Sequence, residues 1–259
     1  MIVTKYEALG NDFLLTCWQS EKDYSLLAKK LCAPKVGIGA DGLIVVKKPN
    51  QGWQALFFNA DGSSATMCGN GLRCVARYCM ENGQRQKKFQ IFTADGVKSV
   101  SVQSLFPFEV KILLGERKFF AGQRECEKAV LSKVETAGKK IFLFKTFLGV
   151  PHAVLVEQED LIPFAKEISL NKNFCDGSNV DFVRVKDEKN IFVKTFERGV
   201  GWTRACGTGA GASVAVCFDR GATEREVFVE SAGGVLKILV AKKNVFAIGG
   251  ANKVFSAEI

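Results

Sequence analysis

Short runs of β-branched and aromatic residues recur along most of the chain: "LIVVKK", "FQIFTADG", "KSVSVQS", "IFLFKTF", "DFVRV", "IFVKTF", "EVFVES" and "LKILVA". Gly, Asp and Asn turns separate them, a pattern that predicts many short strands. Two stretches break it. "CGNGLRCVARYCMENG", starting at Cys68, places Leu72, Val75, Ala76, Cys79 and Met80 at helical spacing and stops at Gly83. "CGTGAGASVAVCFDRG", starting at Cys206, is apolar almost all round and ends at Gly221, which suits a helix buried inside its own sheet.

The two helical stretches belong to a longer self-similarity. "FNADGSSATMCGNG" from Phe58 lies over "FERGVGWTRACGTG" from Phe196 at an offset of 138 residues, so that Asn59 falls on Glu197, Cys68 on Cys206 and Cys79 on Cys217. The same offset brings "TADGV" over "SAGGV", and Gly39 with Asp41 over Gly177 with Asn179. One residue more lays "ALGNDFLL" over "FLGVPHAVL", matching Gly10 to Gly149. Four separated matches in nearly one register predict an α+β protein of two homologous, pseudo-symmetric lobes, each a mostly antiparallel sheet wrapped round a central helix. The expected lobes are residues 1–117 and 118–259, joined in the charged, helix-poor region from Gly115 to Lys140, with the last few residues packing back on the first lobe. Equivalent turns are then expected to face each other across a cleft.

Composition narrows the class of function. With 259 residues, 47% apolar and 24% charged, the chain is globular, and it has no run near the roughly 20 apolar residues of a membrane helix. Its N-terminus lacks the form of a signal peptide, so a cytoplasmic location without a membrane partner is expected. The nine cysteines form no C-x-x-C pair, and their odd number argues against a disulfide framework. One histidine, His152, leaves a Cys/His metal site poorly supplied even with Cys68, Cys74 and Cys79 close in sequence; no metal is expected. The net charge of +9 comes from scattered Lys and Arg, which reads as a solvated basic surface rather than a nucleic-acid face.

The chemistry concentrates on the two Gly-rich turns. Each marks a helix N-terminus, where unpaired backbone N–H groups and the positive end of the helix dipole favour an anion; the same field is expected to lower a thiol pKa. Cys17, Cys32, Cys74, Cys79, Cys126, Cys175 and Cys217 read as small buried hydrophobes, whereas Cys68 and Cys206 sit at the polar helix mouths. A redox couple would keep its thiols local in sequence, a two-ligand metal site would be incomplete, and a cysteine hydrolase would leave one copy idle. A two-base reaction uses both: one thiolate removes the α-proton of an amino acid and the opposite thiol returns one to the other face. Two helix mouths stabilise the charge entering the carboxylate, so no cofactor is needed. "GIGADG", Gly37 to Gly42, fits the dinucleotide pattern but precedes its strand instead of following one.

The motifs "ALGNDF", "GIGADGL", "FFNADGSSATMCGNGLRCVARY", "GVPHAV", "GSNVDF", "FERGVG" and "ACGTGAGAS" resemble, in order and over nearly the whole chain, those of diaminopimelate epimerases. Proline racemases and hydroxyproline epimerases carry a histidine at Asn70, and a PhzF-like isomerase would replace the cysteines with a carboxylate base, so both fit less well. The resemblance implies cofactor-independent interconversion of LL- and meso-diaminopimelate, in lysine and peptidoglycan synthesis, by a protein that is often a homodimer. It assigns the acid/base thiols to Cys68 and Cys206, with His152 and Glu197 assisting near them. Gly69, Asn70, Gly207 and Thr208 are implied to cradle the reacting carboxylate. Asn11, Asn59, Asn179, Glu197 and Arg198 are implied to bind substrate, Arg198 at the distal carboxylate. The chain departs from the pattern at Val150, where "GNPH" is common, at Gly42, where some members have glutamine, and at Trp202, where "GVGET" is common; "AIGGANKVF" also lacks a usual "TGPA". Fewer polar groups predict a looser distal pocket and side activity on glutamate or aspartate.

Overall fold

The computed structural model describes residues 1–20, 22–49, 52–136 and 138–259. Two compact units emerge, one of Met1–Ile112 with Gly249–Ile259, the other of Leu113–Ile248.

In the first unit the predicted alternation becomes strands β1 (Ile2–Ala8), β2 (Asn11–Cys17), β3 (Gly42–Lys47), β4 (Trp53–Asn59), β5 (Ser64–Ala65), β6 (Lys88–Thr93) and β7 (Gly96–Leu105), then β8 (Phe108–Glu116), which carries the chain out. Helix α1 (Tyr24–Cys32) links β2 to β3, and α2 (Gly69–Glu81) links β5 to β6. Most neighbours pair antiparallel. Among the described residues, β2 with β3 and β4 with β6 run parallel, two places where a helix supplies the long crossover that parallel pairing demands. The strand Asn252–Glu258 returns to pair with β1.

The second unit repeats this order. After β9 (Lys118–Ala121), β10 (Arg124–Cys126) and β11 (Leu131–Thr136) come β12 (Lys139–Leu148), β13 (Val150–Val156), a 3-10 turn (Glu159–Phe164) with α3 (Ala165–Ser169), β14 (Asn179–Asp187), β15 (Asn190–Glu197) and β16 (Gly201–Trp202). Helix α4 (Gly207–Asp219) follows, then β17 (Glu226–Ser231), β18 (Gly234–Ala241) and β19 (Asn244–Gly250). Parallel pairing again occurs where helices intervene, at β13 with β14 and β15 with β17. The fold is α+β with two lobes of one design.

Both long helices are interior. In α2 the buried set runs from Gly69 through Cys74, Val75 and Ala76 to Cys79, and in α4 from Gly207 through Val214 to Cys217. Each fully buried Leu, Ile or Val contributes about 1.5–3 kcal/mol of transfer free energy, so these helices are the centres of their cores. Arg73, on α2, is also fully buried.

Ladder register refines the internal match. Phe13 lies opposite Gly42 and Ile44 opposite Phe57, while His152 lies opposite Asn179 and Asp181 opposite Thr195. Asn179 therefore occupies the position of Gly42, not that of Asp41: the offset in this strand is 137, one short of that in the helices.

The seven remaining cysteines divide. Cys32, Cys74, Cys79 and Cys217 are buried as expected, but Cys17 and Cys175 are exposed and Cys126 is half-buried: Cys17 and Cys126 are the last residues of β2 and β10, and Cys175 lies in the loop between α3 and β14. Burial raises the Cys32 thiol to about 11 and the Cys217 thiol to about 12. Among the described residues no helix is long and apolar enough to cross a membrane.

Candidate active site

Cys68 is the N-cap of α2, with extended backbone angles (φ −132°, ψ 128°). Its carbonyl accepts the Leu72 N–H at 2.7 Å, opening the helix. Its Sγ lies 3.8 Å from Asn11 Oδ1, and Asn70 Nδ2 donates to the same oxygen at 3.5 Å. Asn70 is buried, and its Oδ1 accepts from Arg73 Nη2 at 3.0 Å. Arg73 Nε in turn donates to Gly250 O at 3.0 Å, leaving Nη1 without a hydrogen-bond partner. Burial pulls the Arg73 pKa down, while the Cys74 and Cys68 thiols oppose that shift. Asn11 Nδ2 also donates to Asp41 Oδ2, and Asn59 Nδ2 donates to Ser63 Oγ at 2.9 Å. The first unit thus gathers Asn11, Cys68, Gly69 and Asn70 at one helix mouth, with Asn59 at the end of β4.

Cys206 is the N-cap of α4 (φ −118°, ψ 113°), and its Sγ accepts from Gly209 N–H at 3.3 Å and lies 3.5 Å from Thr208 Oγ1. The helix mouth is built as the glycines suggested, but its effect on the thiol is not. Burial, then the nearby Glu197 and Asp181 carboxyls, push Cys206 well above the ordinary thiol range, outweighing the Thr208 and Gly209 hydrogen bonds. Glu197 is itself raised, first by burial, with Asp181 adding and its Thr203, Cys206 and His152 neighbours opposing; Thr203 Oγ1 donates to Glu197 Oε1 at 2.7 Å.

His152 is completely buried, with Nδ1 2.7 Å from Asp181 Oδ2, and Thr195 Oγ1 donates to Asp181 Oδ1 at 2.7 Å. Neither Asp181 nor Thr195 stood out in sequence, where "DFVRV" and "IFVKTF" read as ordinary strands; only ladder register brings them together. Asn179 Oδ1 accepts the Arg198 N–H at 2.9 Å, and Arg198 Nη1 donates to Asp176 O at 2.7 Å. In the second unit, then, His152, Asn179, Glu197, Arg198, Cys206, Gly207 and Thr208 lie on adjoining strands and one helix mouth.

Glycines explain where side chains are excluded. A Cβ on Gly209 would overlap Asp181 Oδ1 and stand 2.8 Å from Thr195 Oγ1; on Gly71, the matching position, it would meet Ile44 Cδ1 at 2.9 Å and Phe57 Cε1 at 3.0 Å. A Cβ on Gly42 would stand 2.6 Å from Phe58 O, so this backbone admits no glutamine, and Gly42 is a packing position. Val150 is half-buried at the start of β13. The Trp202 ring packs on Phe196 and Phe182 with centroids 5.3 and 6.0 Å away, under Lys194 Nζ.

The family model for diaminopimelate epimerase matches residues 3–119 and 144–254. The diaminopimelate epimerase of Caldanaerobacter subterraneus subsp. tengcongensis is 40% identical, with 100% of this chain and 99% of that protein covered. The Archaeoglobus fulgidus diaminopimelate epimerase is 36% identical over 97% of this chain and 94% of its own. A Bacillus anthracis phenazine biosynthesis protein of the PhzF family has the same fold at a TM-score of 0.75, with 14% identity and 100% and 98% of the two chains covered. The chain belongs to the diaminopimelate epimerase family.

Proposed function

We propose that this protein interconverts LL- and meso-diaminopimelate without a cofactor, Cys68 and Cys206 serving as the two acid/base groups on opposite faces of the α-carbon. The observation that carries this reading is the repetition of one device: in each unit a cysteine caps a long interior helix whose first residue is a glycine. The family supplies the substrate class, and the helix mouths suit the carboxylate on which charge accumulates. Asn70 and Thr208, with Gly69 and Gly207, line those mouths as its cradle. Asn11, Asn59, Asn179, Glu197 and Arg198 hold the rest of the substrate, with His152 and Glu197 assisting the thiols. In this reading the enzyme works in the cytoplasm as a homodimer, in lysine and peptidoglycan synthesis, and engages neither nucleic acid nor membrane.

Cys68→Ser and Cys206→Ser, made separately, should each lower epimerisation about 100-fold or more. Full activity in both directions in either variant would refute the two-base mechanism. Val150 in place of an amide and Trp202 committed to ring packing favour a less polar distal pocket and a side activity on glutamate or aspartate. Incubation with L-glutamate in deuterated buffer should give slow α-deuterium incorporation; none, beside clear exchange of diaminopimelate, sinks that extension.

A further inference from the structure

The second unit holds a buried polar trio in which only His152 has been given a role. His152 and Asp181 are wholly inaccessible and Thr195 nearly so. A carboxylate only accepts hydrogen bonds. With Thr195 Oγ1 donating to Oδ1 at 2.7 Å, the 2.7 Å contact between Oδ2 and His152 Nδ1 requires the ring proton on Nδ1. Nε2 is buried and has no hydrogen-bond partner. A protonated, charged Nε2 without an acceptor would cost far more than a bare lone pair, so the geometry selects the neutral ring with Nε2 unprotonated. Asp181 is fixed from a third side: Gly209, in the first turn of α4, approaches Oδ1 so closely that a Cβ there would overlap it. The carboxylate therefore sits at the positive end of the helix whose cap is Cys206.

We propose that Asp181 is a positioning residue: held by Thr195 and by the first turn of α4, it locks His152 in the Nδ1–H tautomer and so keeps Nε2 a hydrogen-bond acceptor. The lock couples the histidine to the second cysteine through one carboxylate. This makes the family histidine an acceptor rather than a donor, and it gives Asp181 and Thr195 roles in activity although neither need touch substrate.

Because the chain has one histidine, its ring nitrogens are read without ambiguity from two-bond 1H–15N correlations on protein labelled with 15N-histidine. Wild type should show a protonated, pyrrole-like Nδ1 and a pyridine-like Nε2. Asp181→Asn, whose amide can donate to Nδ1, should exchange the two signals and lower kcat about 10- to 100-fold, with KM changed far less. Thr195→Val, which keeps the carboxylate, should retain the wild-type ring pattern. A wild-type ring protonated on Nε2 overturns the proposal, as does an exchanged tautomer with wild-type kcat. Should Asp181→Asn not fold, the wild-type and Thr195→Val spectra still decide. The kinetic arm rests on the epimerase reading; the tautomer does not, so absence of epimerase activity beside the expected spectrum would refute only that reading.

Discussion

The same glycine is kept twice for opposite reasons. In the first unit Gly71 is closed in by Ile44, Phe57 and, at 3.5 Å, Phe13; in the second, Gly209 is closed in by Asp181 and Thr195. Ladder register puts Ile44 and Phe57 at the positions of Asp181 and Thr195, and Phe13 at that of His152. Polarity is exchanged elsewhere as well. The first unit buries Arg73 beside Asn70, whereas the matching Gly211 in α4 is hemmed in by Leu148, Leu114 and Val245. One copy of the helix mouth is thus supported by a cation in an apolar setting, the other by carboxylates and an imidazole. A duplicated scaffold can keep its thiols matched while giving them opposite electrostatic surroundings, because a buried pocket's contents are set by strands that come from far along the chain.

The largest effect that would break this comparison is at the glycines. Gly209→Ala places a methyl group against a carboxylate fixed by two hydrogen bonds, and it should destabilise the fold by on the order of 3 kcal/mol. Gly71→Ala meets only the ends of apolar side chains, which can shift, and should cost about 1 kcal/mol. Denaturant midpoints measured under one condition check the pair. Equal losses would mean that backbone crowding, not the polar trio, sets the cost.

Arg73→Met tests the first unit's side of the contrast. It removes the donor to Asn70 Oδ1 and to Gly250 O, yet also removes a costly buried charge, so the net change in stability should be small. Release of Asn70 from its anchor should lower kcat/KM about tenfold, near 1.4 kcal/mol, chiefly through KM. Arg73→Lys, with one compact donor head in place of a fork, should fall between. Loss confined to kcat would argue that Arg73 acts on the thiol rather than on the cradle.

Much of this arrangement was legible in sequence. The two helices announced themselves through helical spacing after a cysteine and paired glycines, and the internal offset exposed the second copy. What sequence concealed was pairing register. Asp181 sits in "DFVRV" with Arg184, and Thr195 in "IFVKTF" with Lys194, so neither is singled out by its strand, and nothing local says that they meet at a helix mouth. The strand carrying Asn179 also slips by one residue relative to the helices, so a rigid offset matched it to the wrong partner. The sign of the Cys206 shift was hidden for a related reason: the helix N-terminus is a local feature, but the burial that outweighs it, and the carboxyls from β14 and β15 that add to it, come from the tertiary fold.

That shift gives the finest test of the contrast. Burial raises Cys206 first, and the Glu197 carboxylate is the next cause. Glu197→Gln removes a negative charge beside the thiol while keeping its shape, so the folded-state pKa of Cys206 should fall, and a larger fraction should be thiolate at any pH below it. Alkylation by iodoacetamide follows that fraction, so labelling of Cys206 at pH 8, followed by peptide mass spectrometry, should quicken by about threefold, under 1 kcal/mol. The gain depends on Glu197 being charged in wild type. Burial raises the Glu197 pKa above the usual carboxylate range, so the difference between variant and wild type should shrink as the pH is lowered through that raised value. Cys68, in the other unit and interacting electrostatically with Arg73, should be labelled at the same rate in both proteins. If Cys206 labelling is unchanged or slower in Glu197→Gln, the carboxylate is not what holds the second thiol protonated, and the two helix mouths differ only in packing.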